Sequence, residues 1–322
     1  MSTRELVLRA LIAAEDGISG GEMARNLNIS RNAVWKAIEQ LRGEGYRITA
    51  SPGRGYIMET EQNVLSWQQI ERHLKPGAIA WTPEIHSHID STNNRGRELA
   101  IGGAAHGTVI IANSQSAGRG RFGRKFHSPE GSGAYLSIVL RPEFGADKAV
   151  MITSMAAVAA ARAMEAVADV QAKIKWVNDV YIGEKKACGI LCEAGLDFES
   201  GRMQYVVAGI GVNIGFIDFP DEIKDIATSL SNECGEKVSR NRFIAELLNE
   251  FSALYPQIES GAFMEESRRR SNVIGRDIFV LRGDEKYPAR AVDIDESGSL
   301  VVVTESGERQ ALHSGEISLR FQ

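Results

Sequence analysis

Residues 109–140 read Val109-Ile-Ile-Ala-Asn-Ser-Gln-Ser-Ala-Gly-Arg-Gly-Arg-Phe-Gly-Arg-Lys-Phe-His-Ser-Pro-Glu-Gly-Ser-Gly-Ala-Tyr-Leu-Ser-Ile-Val-Leu140. Two apolar runs, Val109–Asn113 and Tyr135–Leu140, flank a segment in which Gly118, Gly120 and Gly123 alternate with Arg119, Arg121, Arg124 and Lys125, opposed by a single acid, Glu130. Glycine lets the backbone approach a ligand closely, and arginine offers a planar fork of donors to phosphate or carboxylate. The middle of the stretch is therefore poor core material and a good anion-closing loop. Strands on both sides make it a crossing segment of a folded domain rather than a solvated arginine-glycine tail. It lacks the G-x-x-x-x-G-K-[ST] spacing and is not a P-loop.

Outward from this loop the pattern is α/β. Strands are predicted at Trp81–His88, Thr108–Asn113, Gly133–Leu140, Lys173–Trp176, Asp179–Ile182, Ala187–Glu193 and Gln204–Asn213, and helices at Thr92–Ile101, Asp147–Val167 and Asn241–Ile258. Runs of strands between a few long helices predict a mixed sheet with helices mainly on one face. From Asn272 the texture changes to five short β-branched strands separated by turns such as Arg282-Gly283-Asp284, which fits a small SH3-like barrel.

Upstream, apolar spacing predicts a helix over residues 4–14, a short helix over Gly20–Leu27 and a third over Arg31–Arg42, with Ser30 as N-cap. Val34, Ile38 and Leu41 form its inner face; Arg31, Asn32, Trp35 and Lys36 its outer face. Tyr46–Ile48 and Gly55–Ile57 then read as a hairpin with Arg54 at the tip. This is a winged helix-turn-helix. Residues 20–56 carry six Lys/Arg against three acids, a local +3. That charge, with a polar first turn on the third helix, favours DNA over a purely protein-binding module, and nominates Ser30, Arg31, Asn32, Trp35, Lys36 and Arg54 as DNA contacts.

The whole is an α+β multidomain chain: a winged helix over 1–62, a mixed-sheet domain over 63–271 and a barrel over 272–322. With 322 residues and a net charge of −5, the molecule as a whole does not attract nucleic acid or a membrane surface. Three cysteines, Cys188, Cys192 and Cys234, lack metal-ligand spacing, and with no secretory signal they predict reduced thiols and a cytoplasmic location. The apolar run around Met155–Ala161 reads as too short to span a bilayer.

Further chemistry sits at strand ends. Asp90-Ser91-Thr92-Asn93 closes a strand and opens a helix, a place for small polar ligands and equally for a plain N-cap. Lys175-Trp-Val-Asn178-Asp179 puts a cation, an amide and a carboxylate at a strand-to-strand turn, with Lys186 and Gly189 following. Gly209-Ile-Gly211-Val-Asn213 is a strand whose glycines predict a bulge or a close approach. These are parts for an anion-to-phosphate reaction, with neither a Ser-His-Asp set nor a metal cluster.

Those same motifs, together with Gln115-Ser-Ala-Gly, Ser128-Pro-Glu-Gly, Lys186-Ala-Cys-Gly-Ile-Leu and Gly315-Glu-Ile-Ser-Leu-Arg, resemble the biotin protein ligases, and the N-terminal unit makes the chain similar to their bifunctional ligase/repressor form. The resemblance implies ATP, biotin and Mg²⁺ as substrates and cofactor, and biotinyl-5′-AMP as intermediate. It implies transfer to a lysine of the biotin carboxyl carrier protein or another biotin-dependent carboxylase, and operator binding by a homodimer. By position, it implies biotin contacts from Ser91, Thr92, Asn93, Gln115, Arg119, Gly120, Arg121, Lys186 and Gly189. Nucleotide contacts fall on Lys175, Asn178, Asn213 and Arg320, and catalytic roles on Lys186, Arg121 and Asp179. Val177, Phe122 and Phe126 depart from the family's usual proline, arginine and tryptophan. A lipoate-type ligase of the same fold and a non-catalytic biotin-sensing transcription factor are the alternatives.

Overall fold

The computed structural model describes residues 1–14, 16–59, 63–145, 148–196, 203–282, 285–313 and 316–319. The chain divides into two compact units, Met1–Leu74 with Ser239–Arg242, and Lys75–Val238 with Phe243–Gln322.

In the first unit, α1 (Thr3–Ala13), α2 (Gly20–Asn26) and α3 (Arg31–Gly43) each begin at a serine. Ser30 accepts the Ala33 amide at 3.1 Å, the capping bond that its position predicts. Leu8, Met23, Val34, Ile38 and Leu41 are buried together between the helices. The hairpin pairs β1 (Ile48–Ser51) with β2 (Gly55–Met58), in register from Ile48↔Met58 to Ser51↔Gly55. The first strand starts two residues later than expected. Gly45, at φ +96°, turns the chain, and Tyr46 is spent as a core plug, 3% exposed, before pairing begins. At α4 (Trp67–Glu71), Ser66 holds the cap position, but its hydroxyl donates to Gln68 Oε1 at 2.9 Å and caps nothing.

The second unit is built on a seven-stranded sheet with helices against it. In chain order it comprises β3 (Thr82–His86), α5 (Thr92–Ile101), β4 (Thr108–Ala112), β5 (Gly133–Leu140), α6 (Ala149–Val167), β6 (Ala172–Lys175), β7 (Asp179–Ile182), β8 (Lys185–Leu196), β9 (Met203–Asn213), α7 (Leu230–Cys234), α8 (Arg240–Leu254) from Phe243 onward, and α9 (Met264–Arg270). The strand order is β3-β4-β5-β9-β8-β7-β6, with β3 and β4 parallel and every other pair antiparallel.

Because side chains alternate across a strand, the two helices against β9 can be placed. Gly209 faces Asn93 of α5, whereas its neighbour Ala208 pairs with Cys192, whose thiol bonds Thr153 of α6. Thus α5 covers one face, and α6 the other. Arg162 of α6 reaches Glu250 of α8 at 2.9 Å and Glu266 of α9 at 3.1 Å, so most of the helical mass gathers on the α6 face. The apolar stretch of α6 runs further than Met155–Ala161. Val150–Val167 is long and apolar enough to cross a membrane by length and composition, with a mean hydropathy of 1.4, and 67% of it is buried in the fold. Packing against β6, β8 and β9 accounts for that apolarity.

The C-terminal strands β10 (Asp277–Arg282), β11 (Glu285–Ile294), β12 (Leu300–Thr304), β13 (Arg309–Leu312) and β14 (Glu316–Leu319) form an antiparallel sheet ordered β13-β12-β11-β10-β14. It belongs to the second unit. The Trp176 indole N–H, in the β6–β7 turn, donates to Gly298 O at 2.9 Å in the β11–β12 turn.

Candidate active site

The site is founded on missing side chains. Gly189 of β8 lies opposite Gly211 of β9, and Leu191 opposite Gly209. A Cβ on Gly209 would sit 1.9 Å from Asn93 Oδ1, and one on Gly211 would sit 2.7 Å from the Phe126 ring. The close approach that the glycines predict is thus filled from within, by a helix amide and a loop aromatic. A Cβ on Gly189 would meet Lys186 Nζ at 3.1 Å.

Above this floor are two adjoining cavities. One, of about 30 Å³, is lined by Ser91, Thr92, Asn93, Gln115, Phe126 and the three glycines. The other, of about 380 Å³, is lined by Arg119, Gly120, Arg121, Lys175, Asn178, Asp179, Lys186 and Asn213. Arg119, Phe126, Gly189 and Leu191 border both.

The small cavity is wired by short polar bonds. Gln115 Oε1 accepts from the Thr92 amide at 2.9 Å and its hydroxyl at 3.2 Å, while Gln115 Nε2 donates to Ser128 Oγ at 3.0 Å. The Ser137 hydroxyl lies 2.8 Å from Thr92 Oγ1 and 2.6 Å from Asn93 Oδ1, and its one proton can serve only one of them at a time. Asn93 Nδ2 donates to Leu191 O at 3.1 Å and to Glu193 Oε2 at 2.9 Å. Asn93 therefore borders the cavity chiefly as a brace, with its amide engaged by the protein.

The glycine-arginine loop is folded. Gly120 N donates to Arg124 O at 2.7 Å and Phe126 N to Gly118 O at 2.9 Å, enclosing a single turn at Arg121–Gly123. Phe122 takes a left-handed φ of 55°, with its ring exposed and the Arg121 guanidinium carbon 5.0 Å from its centroid. Arg119 donates to Asn94 Oδ1 at 3.0 Å and pairs with Glu193 at 3.2 Å; Arg121 donates to Asn178 Oδ1 at 3.2 Å across the large cavity.

Lys186 owes its place to a bulge. The β7–β8 register runs Asp179↔Gly189, Val180↔Cys188, then Tyr181↔Lys186, which leaves Ala187 unpaired. Strict alternation would set Lys186 on the face opposite Gly189. The bulge turns it back, so that Nζ lies 2.8 Å from Asp179 Oδ1 at the cavity wall. Next to it, Lys175 Nζ sits 5.6 Å over the ring of Tyr181, whose hydroxyl is pushed up to about 12 by burial and then by the Asp179 and Glu184 charges.

Asn213, 5% exposed, donates to Thr228 O at 3.0 Å, and Lys186 N donates to Ile226 O at 2.9 Å. These bonds hold the segment from Phe219 to Ala227 as a further wall. Arg320 lies outside the described residues. Among the described residues, no group of three His, Cys, Asp or Glu is placed to hold a metal ion.

Sequence reasoning missed Ser137, Glu193, Tyr181 and the Phe219–Ala227 wall. Ser137 had a signal, as the one small hydroxyl residue in a strand otherwise made of glycine, apolar residues and Tyr135; the wall had none.

On the first unit, Ser30, Arg31, Asn32, Trp35 and Lys36 are exposed along one side of α3, with Trp35 52% accessible. Arg54 is exposed at the hairpin tip, where Nε donates to Asp16 O at 3.1 Å.

A small polar pocket opening onto a cation-lined cavity, carried on the same chain as a helix-turn-helix, is the architecture of a regulatory ligase. The family model for the Biotin/lipoate A/B protein ligase family matches residues 86–213, an HTH domain model matches 3–57, and the Biotin protein ligase C terminal domain matches 273–320. The chain is 37% identical over 314 residues to the bifunctional ligase/repressor BirA of Bacillus subtilis, covering 95% of each. To BirA of Escherichia coli K12 it is 31% identical over 322 residues, covering 99% of this chain and 98% of that one. The solved biotin protein ligase from Aquifex aeolicus in complex with biotin and ATP aligns with a TM-score of 0.64 at 29% identity, covering 75% of this chain and 99% of that one. The chain belongs to the family of bifunctional biotin ligase/repressors.

Proposed function

We propose that the protein activates biotin with ATP to biotinyl-5′-AMP, transfers biotin to a lysine of the biotin carboxyl carrier protein or another biotin-dependent carboxylase, and represses transcription by binding operator DNA. A carboxylate oxygen of biotin attacks the α-phosphorus and pyrophosphate leaves. The acceptor amine then attacks the acyl carbon of the mixed anhydride, AMP leaves with the bonding pair, and the amine loses its proton.

The observation that carries this reading is the junction of the two cavities at Arg119, Phe126 and Gly189. A ligand with a neutral, hydrogen-bonding ring and an anionic arm fits such a junction. We assign the ring to Ser91, Thr92 and Gln115, with Asn93 supporting them. The arm passes Gly189 beneath Arg119, Gly120 and Arg121, and the nucleotide lies along Lys175, Asn178 and Asn213, with Arg320 assigned on resemblance alone. Lys186 stabilises charge developing on the α-phosphate, and Asp179 orients it. The loop's donors also exclude water from a hydrolysable anhydride. Among the described residues Asp179 is the pocket's one carboxylate, and it is already engaged by Lys186, so a divalent ion held by these residues fits poorly, and we place Mg²⁺ with the nucleotide phosphates.

For regulation, we assign operator contacts to Ser30, Arg31, Asn32, Trp35, Lys36 and Arg54, and propose a ligand-dependent homodimer. We keep the domain limits at 1–62, 63–271 and 272–322. We place the protein in the cytoplasm without a membrane partner, supported by three free cysteines. Incubation with ATP, labelled biotin and a carrier domain tests the catalytic reading: covalent label on the carrier is expected, and its absence refutes it. Operator binding indifferent to biotin and ATP would refute the regulatory one.

A further inference from the structure

We infer that Glu193 is a positioning residue that anchors the glycine-arginine loop over the adenylate. The inference rests on the adenylate reading above. Glu193 lines neither of the two cavities assigned to the adenylate and borders instead a third, of about 230 Å³, so toward the adenylate it acts through a neighbour. It shares the β8 face of Gly189 and Leu191 by alternation, and its carboxylate, 24% exposed, reaches in two directions. Oε1 lies 3.2 Å from Arg119 Nη2 and 3.7 Å from Arg97 Nη1, and Oε2 accepts from Asn93 Nδ2 at 2.9 Å.

Arg119 is thereby caught between the sheet and α5. Its Nη1 donates to Asn94 Oδ1 at 3.0 Å, Arg97 Nη2 donates to the same oxygen at 3.1 Å, and Asn94 Nδ2 donates to Asp90 Oδ2 at 2.6 Å. On the far side, Arg121 meets the neutral amide of Asn178. The loop thus spans from a charged anchor at Glu193 to a neutral one at Asn178. Both ends carry an ionised guanidinium donor, but only at Glu193 is the acceptor ionised as well, so the pairing of opposite charges there holds the roof more firmly than the bond to a neutral amide. The same carboxylate fixes Asn93, which ties the small pocket and the loop into one unit.

The test is release of preloaded adenylate. The full-length protein is loaded with labelled biotin and MgATP, desalted, and chased with unlabelled biotin, for wild type, E193Q, R119M and the double variant. Gln retains an acceptor for Asn93 but removes the charge that holds Arg119. E193Q is expected to speed release about tenfold, equivalent to about 1.4 kcal/mol, with the rate of adenylate formation changed less than threefold. R119M, which also removes a side chain bordering both cavities, should speed release at least as much, and E193Q should add nothing further in the R119M background, because its effect runs through Arg119. Release by E193Q at the wild-type rate, or a multiplicative double variant, overturns the inference while leaving the adenylate reading intact. A wild type that forms no adenylate overturns both. Should E193Q fail to fold, R119M carries the test on an exposed side chain, and unchanged release there overturns the anchor equally.

Discussion

Replacing Lys186 by alanine should separate adenylation from biotin binding. The ammonium sits 2.8 Å from Asp179 Oδ1, with about a third of its side chain exposed (32%). A hydrogen bond to a charged group contributes about 1.5–3 kcal/mol. At this exposure solvent screens the fully buried Coulomb value, so that net figure is the appropriate one. It corresponds to a loss of roughly 10- to 150-fold in rate. The upper end is favoured because removing Lys186 also uncovers the Asp179 carboxylate beside the phosphate path. Pyrophosphate release at saturating biotin and ATP should therefore fall about a hundredfold, while the biotin dissociation constant, measured by calorimetry without ATP, changes by only a few-fold. The uncovered carboxylate supplies an internal control: the K186A/D179N double variant should regain about tenfold over K186A. Equal losses in binding and adenylation, or no recovery in the double variant, would refute the charge-stabilising role.

Three further outcomes follow from the packing and charge. Gly209→Ala drives a methyl into Asn93 Oδ1; overpacking of this kind costs about 1–3 kcal/mol, so the melting temperature should drop by several degrees and biotin affinity should fall with it, and normal affinity would mean that Asn93 does not support the pocket. Glu266 would be raised by burial, but hydrogen bonds from Arg162 and Arg270 outweigh that and hold it at about 2. Its folded value lies below the unfolded one of about 4.3, so its stabilisation is complete above pH ~5 and is lost as the pH falls toward 2; the melting difference between wild type and Glu266→Gln should shrink over that window, and a constant difference would contradict the pairing. On the first unit, Lys36→Ala should weaken operator binding in the presence of biotin and ATP and lower the salt-dependence slope by about 1; an unchanged slope would remove Lys36 from the phosphate contacts.

Much of the architecture was legible along the chain because local rules agree with the fold there. Ser30 caps the helix it precedes, Gly133–Leu140 and Asp179–Ile182 are strands at the residues expected, and Thr92–Ile101 is the helix expected. The misplaced features are those in which a tertiary contact overrode a local preference. Tyr46 left its strand for the core, and α6 extended its apolar face because a sheet lay against it.

For the site, the sequence alone determined the inventory: glycines where chains must approach closely, arginines and lysines where an anion must rest, and hydroxyls and an amide at a helix start. Their resemblance to the biotin ligases already pointed to the chemistry. Only the tertiary structure decided which members act together. Asn93 meets Glu193 a hundred positions away, and Arg121 meets Asn178 across 57. One unpaired residue, Ala187, swings Lys186 onto the face of the cavity. The physical reason is that residue type is local, whereas the side of a sheet on which a residue lies depends on register, and a single bulge reverses it.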